Sequence, residues 1–257
     1  MKHTIKNTIH SEMVGDGPDL VLLHGWAMHG GVWKGVRDEL AKRFRVHLID
    51  LPGHGLSPAQ EPGDFNHVVE TINDNLPDEC IVCGWSLGGQ IAMQLALNDP
   101  QRVKKLVLVA TTPCFVQQPD WPWGMESRFL QLFMENLHLN YKTTINRFLT
   151  LQVNGGRDLT NTLAQLREYF FEREQPDYAA LRKGLTMLQT NDTRAKFQYV
   201  EQPVLLLHGD NDVITHLSAA KWMVQQLKNA KLVMFPHCGH APFLSDPEQF
   251  VTSIYDF

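Results

Sequence analysis

The chain has 257 residues, 43% hydrophobic and 20% charged, the make-up of an ordinary globular protein able to bury one large core. Its net charge of −5, with no Lys/Arg cluster to offset it, argues against a nucleic-acid partner. No apolar run approaches the roughly 20 residues that span a bilayer, and Met1 to Thr8 has a basic start without an apolar stretch behind it, so the cytosol is the expected compartment.

In chain order, Thr4 to Val14 alternates and predicts antiparallel edge strands. The run Leu20-Val21-Leu22-Leu23 leads into His24-Gly25-Trp26, and Phe44 to Asp50 leads into the turn Leu51-Pro52-Gly53-His54-Gly55. Further strand-length apolar runs are Cys80 to Cys83, Lys105 to Ala110, Pro203 to Leu207 and Leu232 to Phe235. Near-continuous apolar strands with helical segments between them predict an α/β protein with a mostly parallel central sheet and helices on both faces. Cys80 and Cys83 fall inside one such strand, where residues three apart point to opposite faces, whereas a redox pair belongs at a helix N-terminus. They are expected to be structural thiols, as are Cys114 and Cys238.

About 90 residues separate the strand ending at Ala110 from the one starting at Pro203; a simple crossover needs roughly a dozen. Leu159, Leu163, Leu166 and Phe170 follow helical spacing, Leu181, Leu185 and Leu188 repeat it, and Asn154-Gly155-Gly156 marks a turn between two helices. Pro119, Trp121, Pro122 and Trp123 open this region. Residues 113–196 are therefore read as a helical cap over the C-terminal edge of the sheet, with 1–112 and 197–257 forming the core; ligands bind at that edge in open α/β folds.

Between the run at Cys80 to Cys83 and the helix-like stretch Gly89 to Leu97 stands Gly84-Trp85-Ser86-Leu87-Gly88. A serine between two glycines, leaving a strand and entering a helix, has the layout of a nucleophile elbow. The five-residue pattern is weak alone; its bland reading is a glycine-rich turn. An elbow serine needs a base, and the base an orienting carboxylate. His208-Gly209-Asp210-Asn211-Asp212 and His237-Cys238-Gly239-His240 both follow strands, in the order Ser, Asp, His. Asp210 and Asp212 compete for the acid, and Asp212 is favoured because it lies further along its loop. His237 and His240 compete for the base, and Ala241-Pro242-Phe243 favours His240. The expected triad is Ser86, Asp212 and His240, with the N–H groups of Trp26 and Leu87 as oxyanion donors and His24 bracing its loop. Such a triad cleaves esters through an acyl-enzyme and implies neither cofactor nor metal.

The chain resembles the pimeloyl-[acyl-carrier protein] methyl ester esterases of bacterial biotin synthesis, within the α/β-hydrolase superfamily. The resemblance is carried by Leu20 to Trp26, His47 to Gly53, Gly84 to Gly89 and His240 to Phe243, and within the insertion by Pro113-Cys114-Phe115, Trp121-Pro122, Arg147-Phe148-Leu149 and Leu151-Gln152. It implies an α/β-hydrolase fold and removal of the methyl group from a pimeloyl chain carried on acyl carrier protein. It further implies substrate contacts at Trp26, Ser86, Leu87, Phe148, Leu149, Thr150, Leu151, Gln152 and His240. Family members dock their acidic carrier through arginines near Arg147. Arg147 is present, with Lys142, Arg157 and Arg167 nearby, but Thr143, Thr160 and Ala164 stand where further basic residues are expected. A general short-chain carboxylesterase, or another small-molecule hydrolase, is the alternative that the same triad would serve.

Overall fold

A computed structural model describes residues 9–257. Seven strands, Ser11–Val14 (β1), Asp19–Leu23 (β2), Arg45–Ile49 (β3), Cys80–Trp85 (β4), Val103–Val109 (β5), Val204–Gly209 (β6) and Ala230–Phe235 (β7), form one sheet in the order β1-β3-β2-β4-β5-β6-β7. Among the described residues only β1 runs antiparallel, pairing Ser11 with Ile49 through Val14 with Val46; the other pairs are parallel. The expected antiparallel edge is therefore β1, and the part of that expectation on Thr4 to Thr8 lies outside the described residues, as does the reading of Met1 to Thr8. The central strands are apolar at successive positions because both faces are covered: Leu20 to Leu23 and Val204 to Leu207 are all buried.

The described residues also form eleven α-helices: Lys34–Leu40 (α1), Phe65–Asp74 (α2), Leu87–Asn98 (α3), Ser127–Leu139 (α4), Tyr141–Val153 (α5), Leu159–Phe171 (α6), Tyr178–Thr190 (α7), Arg194–Phe197 (α8), Leu217–Gln226 (α9), Pro242–Ser245 (α10) and Pro247–Tyr255 (α11). Helix α3 buries Leu87 through Met93 without interruption, as a helix packed on all sides must. Helices α4 to α7 occupy the long interval between β5 and β6. The ends of that insertion meet: Thr193 N–H donates to the Pro113 carbonyl at 2.8 Å, and Cys114 bridges to Asp192. Beside this junction, Trp121 stacks edge-on against Trp123 and Trp222, with ring centroids 4.8 and 5.1 Å away.

An ion-pair network ties the far side of the insertion to the sheet. Arg173, just beyond α6, donates to the fully buried Asp50 at 2.5 Å and also pairs with Glu12 on β1. Asp50 in turn accepts the Gly30 N–H at 2.6 Å and the Leu56 N–H at 2.9 Å, so one carboxylate orders both loops that leave β2 and β3. All four cysteines are buried free thiols. Burial pushes Cys80 up to about 12 and Cys83 higher still, which leaves neither as a thiolate near neutrality.

Candidate active site

Ser86 follows directly on β4 and precedes α3, with φ of 56° and ψ of −116°. A non-glycine residue there is strained by about 1–3 kcal/mol, and it persists only where its surroundings over-determine it. Here they do: Ser86 N–H donates to the Val109 carbonyl, and the Ser86 carbonyl accepts from Thr111 Oγ1 at 2.7 Å and Gly89 N–H at 2.9 Å. The flanking glycines leave the room the turn needs. A Cβ at Gly84 would lie 2.2 Å from the Gly88 carbonyl oxygen, and one at Gly88 would lie 2.5 Å from the carbonyl oxygens of Leu23 and His24.

Asp212, in the loop after β6, lies 2.8 Å from His240, in the loop after β7, through Oδ2 and Nδ1. The remaining acceptor capacity of the carboxylate is filled locally: Oδ1 takes the Ile214 and Thr215 N–H groups at 2.8 and 3.0 Å, and Oδ2 takes the Thr215 hydroxyl at 2.8 Å. Burial opposes the charge on Asp212, but His240 beside it and these donors hold its carboxyl below the ordinary value. A carboxylate held charged there keeps the single proton of a neutral His240 ring on Nδ1 and so frees Nε2 to act as a base. The competing residues are placed otherwise. Asp210 and His237 are exposed, and among the described residues the Asp210 carboxylate accepts only the Cys238 N–H, at 3.4 Å.

Thr215 is a site residue the sequence reading did not find. Its hydroxyl lies 2.8 Å from Asp212 and 3.3 Å from His240 Nδ1, and it stands three residues after Asp212, where a side-chain carboxylate caps the backbone ahead of it. His208 was missed as well; it is buried, donates from Nε2 to the Thr215 carbonyl at 2.8 Å and is held neutral by burial.

Ser86 and His240 border one cavity of about 530 Å³, walled by Trp26, Trp85, Phe133, Phe148, Leu185 and Leu188 among other mainly apolar residues. Phe129, Leu151 and Val213 line it too and are exposed, so they mark its mouth. No hydrogen bond joins Ser86 to His240 among the described residues; such contacts in free enzymes are often loose and tighten around substrate.

Of the stretch 148–152, three residues reach the cavity: Phe148, Leu151 and Gln152. Leu149 is fully buried in the core, and the exposed Thr150 donates its hydroxyl to the Asn146 carbonyl within α5. Helical geometry is the reason, since positions i, i+3 and i+4 share a face and the two between them do not. Gln152 is buried, and its side-chain Nε2 has no acceptor among the described residues. Its backbone carbonyl accepts the His240 N–H at 2.8 Å, so the end of α5 holds the histidine loop in place. Leu87 does not border this cavity; its side chain borders a second one of about 200 Å³.

Trp26 follows β2, with its indole fixed by a 2.8 Å hydrogen bond from Nε1 to the Leu181 carbonyl. Gly25 packs the loop directly on the elbow, since a Cβ there would lie 3.2 Å from Ser86 Cβ. Leu87 N–H is the first of α3 and has no acceptor within the helix. His24 spans its loop: Nδ1 donates to the Gly25 carbonyl at 2.7 Å, and Nε2 accepts the Leu51 N–H at 2.9 Å. Burial and the neighbouring His54 lower His24 to about 3, so it holds this bracket as a neutral ring. Arg147 is exposed on α5 and makes no ion pair among the described residues; Lys142, Arg157 and Arg167 are exposed as well.

Comparison with known proteins matches this architecture. The alpha/beta hydrolase fold family matches residues 18–247. The pimeloyl-[acyl-carrier protein] methyl ester esterase of Nitrosomonas europaea is 58% identical over 245 residues, which cover 95% of this chain and 97% of that protein. The chain belongs to the pimeloyl-[acyl-carrier protein] methyl ester esterase family of α/β hydrolases. A second member, from Nitrosospira multiformis, is 50% identical over 97% of this chain and 98% of its own length. Among solved structures, an esterase from Exiguobacterium antarcticum superposes with a TM-score of 0.89 over 96% of this chain and 94% of that one, at 22% identity, which speaks to the shared fold. Among the described residues, no helix is long and apolar enough to cross a membrane.

Proposed function

We propose that this protein is a serine esterase that hydrolyses the methyl ester of pimeloyl-[acyl-carrier protein] to the free carboxylate and methanol, in biotin synthesis in the cytosol. The observation that carries the reading is that the strained Ser86 borders one apolar cavity together with His240, which is paired with Asp212 behind it, in a chain 58% identical to an esterase of that name. A cavity of about 530 Å³ suits a methylene chain with a small ester at its end.

His240, with its Nδ1–H directed to Asp212, takes the Ser86 proton on Nε2 while Ser86 Oγ attacks the ester carbonyl carbon. The N–H groups of Trp26 and Leu87 hold the negative oxygen of the tetrahedral intermediate. As that intermediate collapses, His240 gives its proton to the departing methoxide, which leaves as methanol. Water, deprotonated by His240, then attacks the acyl-enzyme and releases the carboxylate and Ser86. Trp26, Phe148, Leu151 and Gln152 contact the acyl chain, and residues 113–196 act as the cap that shields it. The partner is an acyl carrier protein, and the exposed Arg147, with Lys142, Arg157 and Arg167 around it, receives its acidic surface.

Complementation tests the physiological half of this reading. A biotin-requiring strain that lacks this esterase step should grow without biotin when it expresses the chain, and not when it expresses Ser86→Ala. Failure of the unaltered chain to support growth, despite esterase activity in the extract, would make it a general carboxylesterase.

A further inference from the structure

Gly184 stands in the middle of α7, on its buried face with Leu181, Leu185 and Leu188. Glycine is the poorest helix former after proline, so a bare Cα at this point answers to something packed against it. A Cβ on residue 184 would lie 2.7 Å from Trp26 Cδ1 and 3.2 Å from Trp26 Nε1, with Leu87 Cδ2 next at 3.6 Å. The two side chains that fill the space of the missing Cβ thus belong to the two residues assigned above as oxyanion donors. Three residues earlier on the same helix, the Leu181 carbonyl accepts the Trp26 indole N–H. On other sides the indole meets Phe148 and Phe133 edge-on, with centroids 4.8 and 5.4 Å away. Trp26 is almost wholly buried, and Ala27 after it has a φ of 63°, so the turn that carries the Trp26 N–H is itself tightly constrained. A methyl group added here therefore has to displace the indole or the helix that faces it.

We propose that Gly184, together with the Leu181 carbonyl, is a positioning residue for the reaction. It seats the Trp26 indole against the inserted helices and so fixes the Trp26 N–H relative to Ser86. The proposal rests on the assignment of that N–H as an oxyanion donor. It makes catalysis depend on a residue that touches neither substrate nor the triad, and it couples α7 to the chemistry.

The test is a double-mutant cycle in the full-length protein with a short substrate, p-nitrophenyl butyrate. Gly184→Ala should lower kcat by about tenfold or more, because small misplacements of catalytic donors are costly, while KM changes little. In a Trp26→Val background, which removes the atoms that would clash, the same substitution should change kcat by less than about twofold. A helix merely distorted by alanine would lose as much in both backgrounds. A second readout is independent of activity: the indole N–H resonance of Trp26, identified by its loss in Trp26→Val. In Gly184→Ala it should shift and exchange faster, while the other five of the six tryptophans keep their signals. Equal losses of kcat in both backgrounds, or an unmoved Trp26 resonance, would overturn the proposal. An inert wild-type protein would instead count against the ester-hydrolysis reading, and the resonance would still decide whether Gly184 seats the indole.

Discussion

The Trp85 indole donates its N–H to the carbonyl oxygen of His240 at 2.7 Å, joining the residue before Ser86 to the residue proposed as its base. Trp85 is almost wholly buried, and its ring packs edge-on against Phe243 at 5.0 Å, so the elbow and the histidine loop are braced as one unit. Trp85→Phe would keep most of that packing and leave the His240 carbonyl without its donor, a loss of about 1–3 kcal/mol. The expected result is a kcat lower by about tenfold or more with little change in KM, read from steady-state kinetics. An unchanged kcat would make Trp85 a packing residue only.

Asp212 is satisfied from both sides, by His240 and by its own loop. Asp212→Asn keeps the shape and removes the charge that fixes the His240 proton, so kcat should fall by about 10⁴. Asp210→Asn should be mild, since Asp210 is exposed and makes no hydrogen bond to His240 among the described residues. Reversed phenotypes, measured side by side on one ester, would move the acid to Asp210.

Stability should weaken as the solution turns acidic. His24 is lowered to about 3 by burial, and then by His54, and burial likewise holds His29, His54 and His208 below the ordinary value of 6.5. Below about pH 6.5 the unfolded chain takes up protons on these rings that the folded chain does not, so their stabilisation is present above that pH and lost as pH falls. Asp50 and Asp212 act in the same direction at lower pH, because their folded values lie below the ordinary 3.8. Tm should therefore be nearly flat from pH 8 to 7 and decline steadily from about pH 6.5 downward. A Tm that rises between pH 7 and 5 would contradict this account.

Much of this architecture is legible in the sequence because parallel strands covered on both faces leave continuous apolar runs: Leu20 to Leu23 and Val204 to Leu207 need no partner to be recognised. Ser86 is legible because its tight turn demands small neighbours at fixed offsets. What escapes are contacts between residues distant in sequence. Nothing in a linear reading brings the Gln152 carbonyl to the His240 N–H, or Arg173 to Asp50. Residues 148–152 read as one contiguous contact stretch, yet their helix presents Phe148, Leu151 and Gln152 to the cavity and turns Leu149 and Thr150 away. Thr215 was findable in principle, since it stands three residues after Asp212 in the same loop.

Carrier recognition has its own signature. Arg147→Glu replaces attraction with repulsion, so KM for a carrier-bound ester should rise about tenfold or more at low salt. Added salt should shrink the difference, because exposed charges are screened beyond about 10 Å at 0.1 M. Turnover of p-nitrophenyl butyrate should barely change, since Arg147 is not among the cavity residues. Equal losses on both substrates would make Arg147 a structural residue of α5.

Methanol release from methyl pimeloyl-[acyl-carrier protein] by the purified protein tests the central claim most directly. The protein should release one methanol per carrier, with kcat/KM about tenfold or more above that for the same ester without its carrier. Ser86→Ala should lower kcat by about 10⁴ to 10⁶. No methanol from the carrier-bound ester, or a Ser86→Ala protein that keeps more than a few per cent of the activity, would contradict the account.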